Sequence, residues 1–291
     1  MADLVIDCIL RHRCLLGESP VWSASENSLY WVDIHRPSIL RWNLSGSEVE
    51  EWPMPENIGS IGLAPAGVVA ALRLGFASVA LPGGAIVRGP APIAGRANLR
   101  FNDGRVDRRG RFWAGTVSEK REAGLASLYR FDGNGASEMA QGFTVSNGIS
   151  WSPDDKIMYF ADSWARAIYA FDYDLDEGRL GDRRVFATFA DNEGIPDGAT
   201  VDVDGCYWIT HFDGGRLSRY TPDGRLDRSI VMPVPRPTSC AFVGPRLDTL
   251  LVTSASFNLS PEQLDAAPLS GGIFALNVGT QGLPDPVFAA S

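Results

Sequence analysis

Histidine is scarce in this chain. Only His12, His35 and His211 occur among 291 residues, too few for a multi-histidine metal centre, and a Ser-His-Asp triad would have to draw on one of the three. Cysteine is nearly as rare. Cys8, Cys14, Cys206 and Cys240 are scattered, with no C-x-x-C pair, which excludes zinc fingers and thioredoxin-type chemistry and leaves them as buried thiols. No G-x-S-x-G, Walker or G-x-G-x-x-G motif is present. No run of 18 apolar residues could cross a membrane as a helix. Basic clusters are also missing, and the net charge of −9 with a pI near 4.9 speaks against nucleic-acid binding. The opening MADLVIDCILRHR has its acids early and its bases late, the wrong order for a signal peptide, so a soluble cytoplasmic protein is expected. Amphipathic helices are absent too; the best candidate, residues 261–267, makes one or two turns.

What remains is strands and turns. Turn signals such as SENS, NLSG, DRRG, SPDD, DVDG and TPDG recur between short Val, Ile and aromatic runs. Four of these runs carry an aromatic pair: Tyr30-Trp31, Phe112-Trp113, Tyr159-Phe160 and Tyr207-Trp208. The second aromatics are 82, 47 and 48 residues apart. The long interval divides at GVVAAL near Val69, and a sixth run, TLLVTS, centres on Leu251. Six units of that period predict an all-β fold, a six-bladed β-propeller of four-stranded antiparallel blades around a central channel. The hydrophobic content of 45% supplies ample core. No linker divides the chain, so residues 1–291 are expected to form one propeller domain. GLPDPVFAA, near the C-terminus, reads as the segment that returns to close the ring.

In a propeller the innermost strand of each blade lines the channel, and the start of that strand lies at one mouth. Glu18 precedes Trp31 by 13 residues, Asn102 precedes Trp113 by 11, Asn147 precedes Phe160 by 13, and Asp197 precedes Trp208 by 11. Four blades thus aim Glu, Asn, Asn and Asp at one axis. Oxygen donors with two negative charges suit a hard divalent cation. Without one, the two carboxylates would repel each other.

The blocks that carry these residues are Gly17-Glu18-Ser19-Pro20, Arg100-Phe101-Asn102-Asp103-Gly104, Ser146-Asn147-Gly148-Ile149 and Pro196-Asp197-Gly198. Their identity and order resemble the signature blocks of the gluconolactonase/regucalcin (senescence marker protein) family, over most of the chain. The resemblance implies a six-bladed propeller with one divalent metal in the channel, bound by Glu18, Asn147 and Asp197. It implies substrate or water contacts from Arg100 and Asn102, and hydrolysis of a sugar lactone such as xylonolactone. Some members carry an acidic residue at the position that Lys120 holds here, next to Glu119. Glu119 and Lys120 are therefore expected to meet sugar hydroxyls, with the loops 119–124 and 257–271 shaping the mouth.

Lactone hydrolysis needs an activated carbonyl, a water nucleophile and a stabilised oxyanion. Asp197 is the candidate general base, with Asn102 beside it; a metal-bound hydroxide attacking directly is the alternative route. The metal is left open among Ca²⁺, Zn²⁺, Mn²⁺, Mg²⁺ and Fe²⁺. Two other readings stand beside this one: a phosphotriesterase-like hydrolase, and a calcium-binding regulatory or interaction propeller without turnover. A monomer is expected, because closed blades leave few free strand edges.

Overall fold

Each strand-forming run is joined to the next by a short turn, which dictates antiparallel pairing between neighbours. In the computed structural model of the chain, described over residues 4–289, this produces 24 strands and one helix. After β1 (Ile6–Leu10) come β2 (Gly17–Ser23), β3 (Ser28–Asp33), β4 (Ser38–Asn43) and β5 (Val49–Pro53). The second sheet holds β6 (Ile58–Ala64), β7 (Gly67–Leu72), β8 (Phe76–Ala80) and β9 (Ile86–Arg88). The third holds β10 (Leu99–Val106), β11 (Phe112–Ser118), β12 (Ala126–Phe131) and β13 (Ala136–Phe143). The fourth holds β14 (Ser146–Trp151), β15 (Ile157–Asp162), β16 (Ala167–Asp174) and β17 (Arg179–Thr188). The fifth holds β18 (Ile195–Val201), β19 (Tyr207–Phe212), β20 (Arg216–Tyr220) and β21 (Leu226–Val231). Last come β22 (Pro237–Val243), β23 (Thr249–Ser254), helix α1 (Pro261–Ala266) and β24 (Ile273–Leu276).

Six four-stranded antiparallel sheets result. The first strand of each sheet packs against the first strand of the next, in the order β2, β6, β10, β14, β18, β22 and back to β2. That cycle is a six-bladed propeller, as the period of the sequence predicts. The aromatic pairs lie on the second strand of their blades. Trp31, Trp113, Phe160 and Trp208 are wholly buried, and they fill the space between sheets: Trp113 meets Trp151 of the next blade edge to face at 6.3 Å. Blades one and two share another such layer, formed by Val21, Tyr30 and Val32 against Ile58, Ile61 and Val68.

One expectation is corrected. The C-terminal segment does not close the ring. β1 does so, pairing with β24 as the fourth strand of blade six, so that its order is β22-β23-β24-β1. The segment after β24 instead runs as a strap across blades five, six, one, two and three. Val203 N donates to Gln281 O, Gly282 N to Leu247 O, Trp22 N to Asp285 Oδ2, Phe288 N to Leu63 O and Ala289 N to Gly110 O. Prolines 284 and 286 suit an extended path that gives up no ladder hydrogen bond.

Helix α1 is short, and its start is set locally. Ser260 and Gln263 form a reciprocal capping box, and Pro261 opens the first turn. No helix of the described residues is long and apolar enough to cross a membrane.

Candidate active site

The inner strands share a local irregularity that places the site. In every blade the pairing of first and second strands slips near its start: between Glu18 and Val21, Ile58 and Ser60, Phe101 and Gly104, Asn147 and Ser150, Pro196 and Ala199, and Pro237 and Cys240. Such a bulge turns a side chain out of the pleat. Gly59, Asn102, Asp197 and Thr238 lie within it in blades two, three, five and six, whereas Glu18 and Asn147 are the last paired residues before it in blades one and four. Gly59 is dictated by crowding, since a Cβ there would lie 2.5 Å from the carbonyl oxygen of Asn102. Gly148 has a φ of +62°, which glycine adopts at least cost. Thr238 donates to Gly17 O at 2.5 Å and so ties blade six to blade one.

Glu18, Arg100, Asn102, Glu119, Asn147 and Asp197 all line one cleft of about 330 Å³, at the lower end of the roughly 300–1,000 Å³ usual for small-molecule sites. His35, Arg121, Ser163, Trp164, Phe212 and Phe257 complete much of its wall. Lys120 does not line it; from this loop Glu119 and Arg121, the residues on either side, do so. The interval from the aromatic strand gives the loop but not which residue faces inward, because Arg121 takes a left-handed φ of 60° that redirects the chain.

The donors are held from behind. Asn147 Nδ2 donates to Ser163 Oγ at 2.8 Å, and that hydroxyl donates on to Pro196 O at 2.6 Å. Asn147 therefore presents its oxygen inward, where Asn102 Nδ2 reaches it at 2.9 Å. Asn102 Nδ2 also meets Ser146 O at 3.0 Å, while its Oδ1 accepts from Arg100 Nη1 at 2.7 Å. Arg100 Nη1 bonds Phe101 O as well, which leaves Nε and Nη2 available to a ligand. Burial draws the Arg100 guanidinium down to about 10, still cationic at neutral pH. Glu119 is engaged by Arg73 at 2.6 and 3.0 Å, and that bond holds its carboxyl below the usual range.

Ser163 and Asp103 are contributions the spacing did not single out. Ser163 follows Asp162, a residue type expected to cap a turn, and Asp162 does so: Thr144, Val145 and Trp164 amides donate to it. Asp103, next to Asn102 in the bulge, accepts from Gly104 N at 2.9 Å and Ile149 N at 3.1 Å. His211 faces away from ligand chemistry. Its Nδ1 lies 2.8 Å from Glu193 O, and its ring stacks on Phe189 at 4.2 Å.

The two acids on the cleft floor are left bare. Glu18 and Asp197 are 7% and 6% exposed, and no protein cation pairs with either among the described residues. Burial, then the facing charges of Asp197 and Asp103, hold Glu18 well above the ordinary carboxylate range. Burial, then Asp103 and Asp213, do the same to Asp197. Two unpaired buried carboxylates beside an inward amide oxygen fit a hard divalent cation, which would offset the cost of ionising both. No group of three or more His, Cys, Asp or Glu side chains suited to a metal occurs among the described residues; the set here is two acids and an amide.

Six blades and an oxygen-lined channel mouth define a class of propeller, and comparison with known proteins places the chain within it. Residues 16–256 match the SMP-30/Gluconolactonase/LRE-like region, and the chain belongs to that family. A 6-deoxy-6-sulfogluconolactonase of Pseudomonas putida is 40% identical over 287 residues, 98% of this chain and 98% of that protein. Regucalcin of Sus scrofa is 36% identical over 298 residues, 99% of this chain and all of that one. A solved structure described as a calcium-binding protein, regucalcin, from Agrobacterium tumefaciens superposes with a TM-score of 0.92 at 25% identity, over 96% of this chain and 95% of that one.

Proposed function

We propose that the chain hydrolyses the ring ester of a sugar lactone to the aldonic acid, with one divalent cation held by Glu18, Asn147 and Asp197. The observation that carries this reading is the bare pair of buried carboxylates on the cleft floor. Relatives named as a sulfogluconolactonase and as regucalcins support it. The bound cation would polarise the lactone carbonyl and offset charge developing on its oxygen. Asp197 accepts a proton from the attacking water, having no hydrogen bond from the described residues to compete for its side-chain oxygens. Arg100 offers its free Nε and Nη2 to sugar hydroxyls, and Asn102 holds that guanidinium in place. Glu119, fixed by Arg73, accepts from a hydroxyl nearer the rim. Lys120, outside the cleft, has a part only in the field at the mouth. A pentono- or hexono-lactone, xylonolactone among them, suits a cleft of this size. Four free cysteines support a reducing, cytoplasmic setting.

The test is acid release from a panel of pentono- and hexono-lactones at constant pH, on chelator-stripped protein with single metals restored and spontaneous opening subtracted. Restoration well above background by one metal is expected. Binding of metal without turnover of any lactone would overturn the reading and favour a calcium-binding propeller, as the Agrobacterium tumefaciens relative is described.

A further inference from the structure

Arg121 stands at the rim of the cleft with no counter-ion among the described residues. Its guanidinium lies 4.1 Å from the centre of the Trp164 ring, and both side chains line the cleft. The two acids nearest in sequence are committed elsewhere. Glu119 is paired with Arg73, and Glu122 accepts from Asn98 Nδ2 at 2.7 Å. A guanidinium lying on an aromatic face keeps its in-plane N–H edge free, and that edge matches the two oxygens of an oxyanion.

The loop holds this arrangement ready. Arg121 N donates to Ser118 O at 2.8 Å, Glu122 N to Ser118 Oγ at 3.0 Å, and Glu119 N to Asn98 O at 2.9 Å. The φ of 60° at Arg121 costs about 1 kcal/mol or more for a residue with a Cβ. Sugar hydroxyls do not need a full positive charge. An anionic substituent does, on a protein whose own net charge is −9.

We propose that Arg121, supported by Trp164, is an anion-recognition residue that selects lactones carrying an oxyanion group (sulfonate, phosphate or carboxylate) on the end of the sugar away from the reacting carbonyl. This rests on the lactonase reading above and names its substrate class. Arg121 takes no part in the chemical step. Its contribution is to KM.

The experiment compares wild type, Arg121→Ala, Arg121→Lys and Trp164→Ala on gluconolactone and on gluconolactones bearing 6-sulfonate, 6-phosphate or 6-carboxylate. For the anionic substrates, Arg121→Ala is expected to raise KM roughly 10-fold or more, the size of a lost charge-assisted hydrogen bond. Kinetics on neutral gluconolactone should stay within about twofold of wild type, where a charge-assisted bond is not at stake. Arg121→Lys should recover part of the loss, and Trp164→Ala should share it. The three anions identify which group the rim prefers. Equal effects on neutral and anionic substrates, or none on either, would overturn the proposal. Calorimetric titration with gluconate and 6-phosphogluconate reads the same site without turnover. Tighter binding of the phosphate, lost in Arg121→Ala, upholds the anion site even if no lactone is opened; equal affinities overturn it.

Discussion

In the proposed reaction Asp197 would do two things at once: hold a cation and take a proton. The amide of Asp197→Asn keeps an oxygen donor but removes the base. Turnover is expected to fall by roughly 10²–10⁴-fold, the usual weight of general-base catalysis, with much less change in metal affinity. Lactone kinetics beside a calorimetric metal titration would check this, and near-normal turnover would end the base assignment. His211 makes a different single-residue prediction. Burial lowers its pKa, and its Nε2 has no partner among the described residues, so protonation would strand a second N–H. Between that lowered value and about 6.5, the unfolded chain binds a proton that the folded chain does not. Stability therefore rises with pH through that window and is complete above it. His211→Phe keeps the stacking on Phe189 and should flatten the slope in unfolding curves taken from pH 5 to 7.5. An unchanged slope would assign the pH dependence to His12 and His35, whose pKa values are lowered in the same direction.

Among the elements, the turns between first and second strands are stapled by buried acids in blades three and five. Asp107 accepts from Arg109 N, Arg111 N, Arg111 Nε, Trp113 Nε1 and Tyr173 Oη. Asp202 accepts from Asp204 N, Cys206 N, Trp208 Nε1 and Arg219 Nε. Asp107→Ala would leave several buried donors unanswered, and a loss of roughly 3–5 kcal/mol is expected, as for a broken buried ion pair; a urea midpoint measurement reads it, and a loss under about 1 kcal/mol would contradict the staple. These elements also mark how far the sequence could be read. The strands, their period and the four polar positions were legible because alternation, turn residues and aromatic pairs are local signals. The bulge was not, since it is a property of pairing. Glycine after Asn147 and Asp197 was its only trace. The inward turn of Arg121 rather than Lys120 depends on one backbone angle, and no residue pattern encodes it.

At the scale of the whole molecule, six blades leave six outer strands with unpaired edges. Several carry charge along them, as in VEEWP of β5, RLGDRRVFAT of β17 and LDRSIV of β21. Charged edges discourage pairing between copies. Sedimentation is expected to find a monomer of 31.5 kDa, and a stable dimer at micromolar concentration would refute that. The ring's closure was misread in sequence because β1 looks like any half-buried strand, and only its pairing with β24 reveals where it belongs.

That pairing has a consequence for how the chain is born. β1 leaves the ribosome before every other strand of the ring, yet its partner β24 is made some 260 residues later. Blades one to five can each condense as soon as their fourth strand emerges. β1 must wait, unpaired, until β24 has emerged. The sixth blade is thus the last to be completed, and a ribosome stalled before residue 273 would hold five finished blades and an open circle.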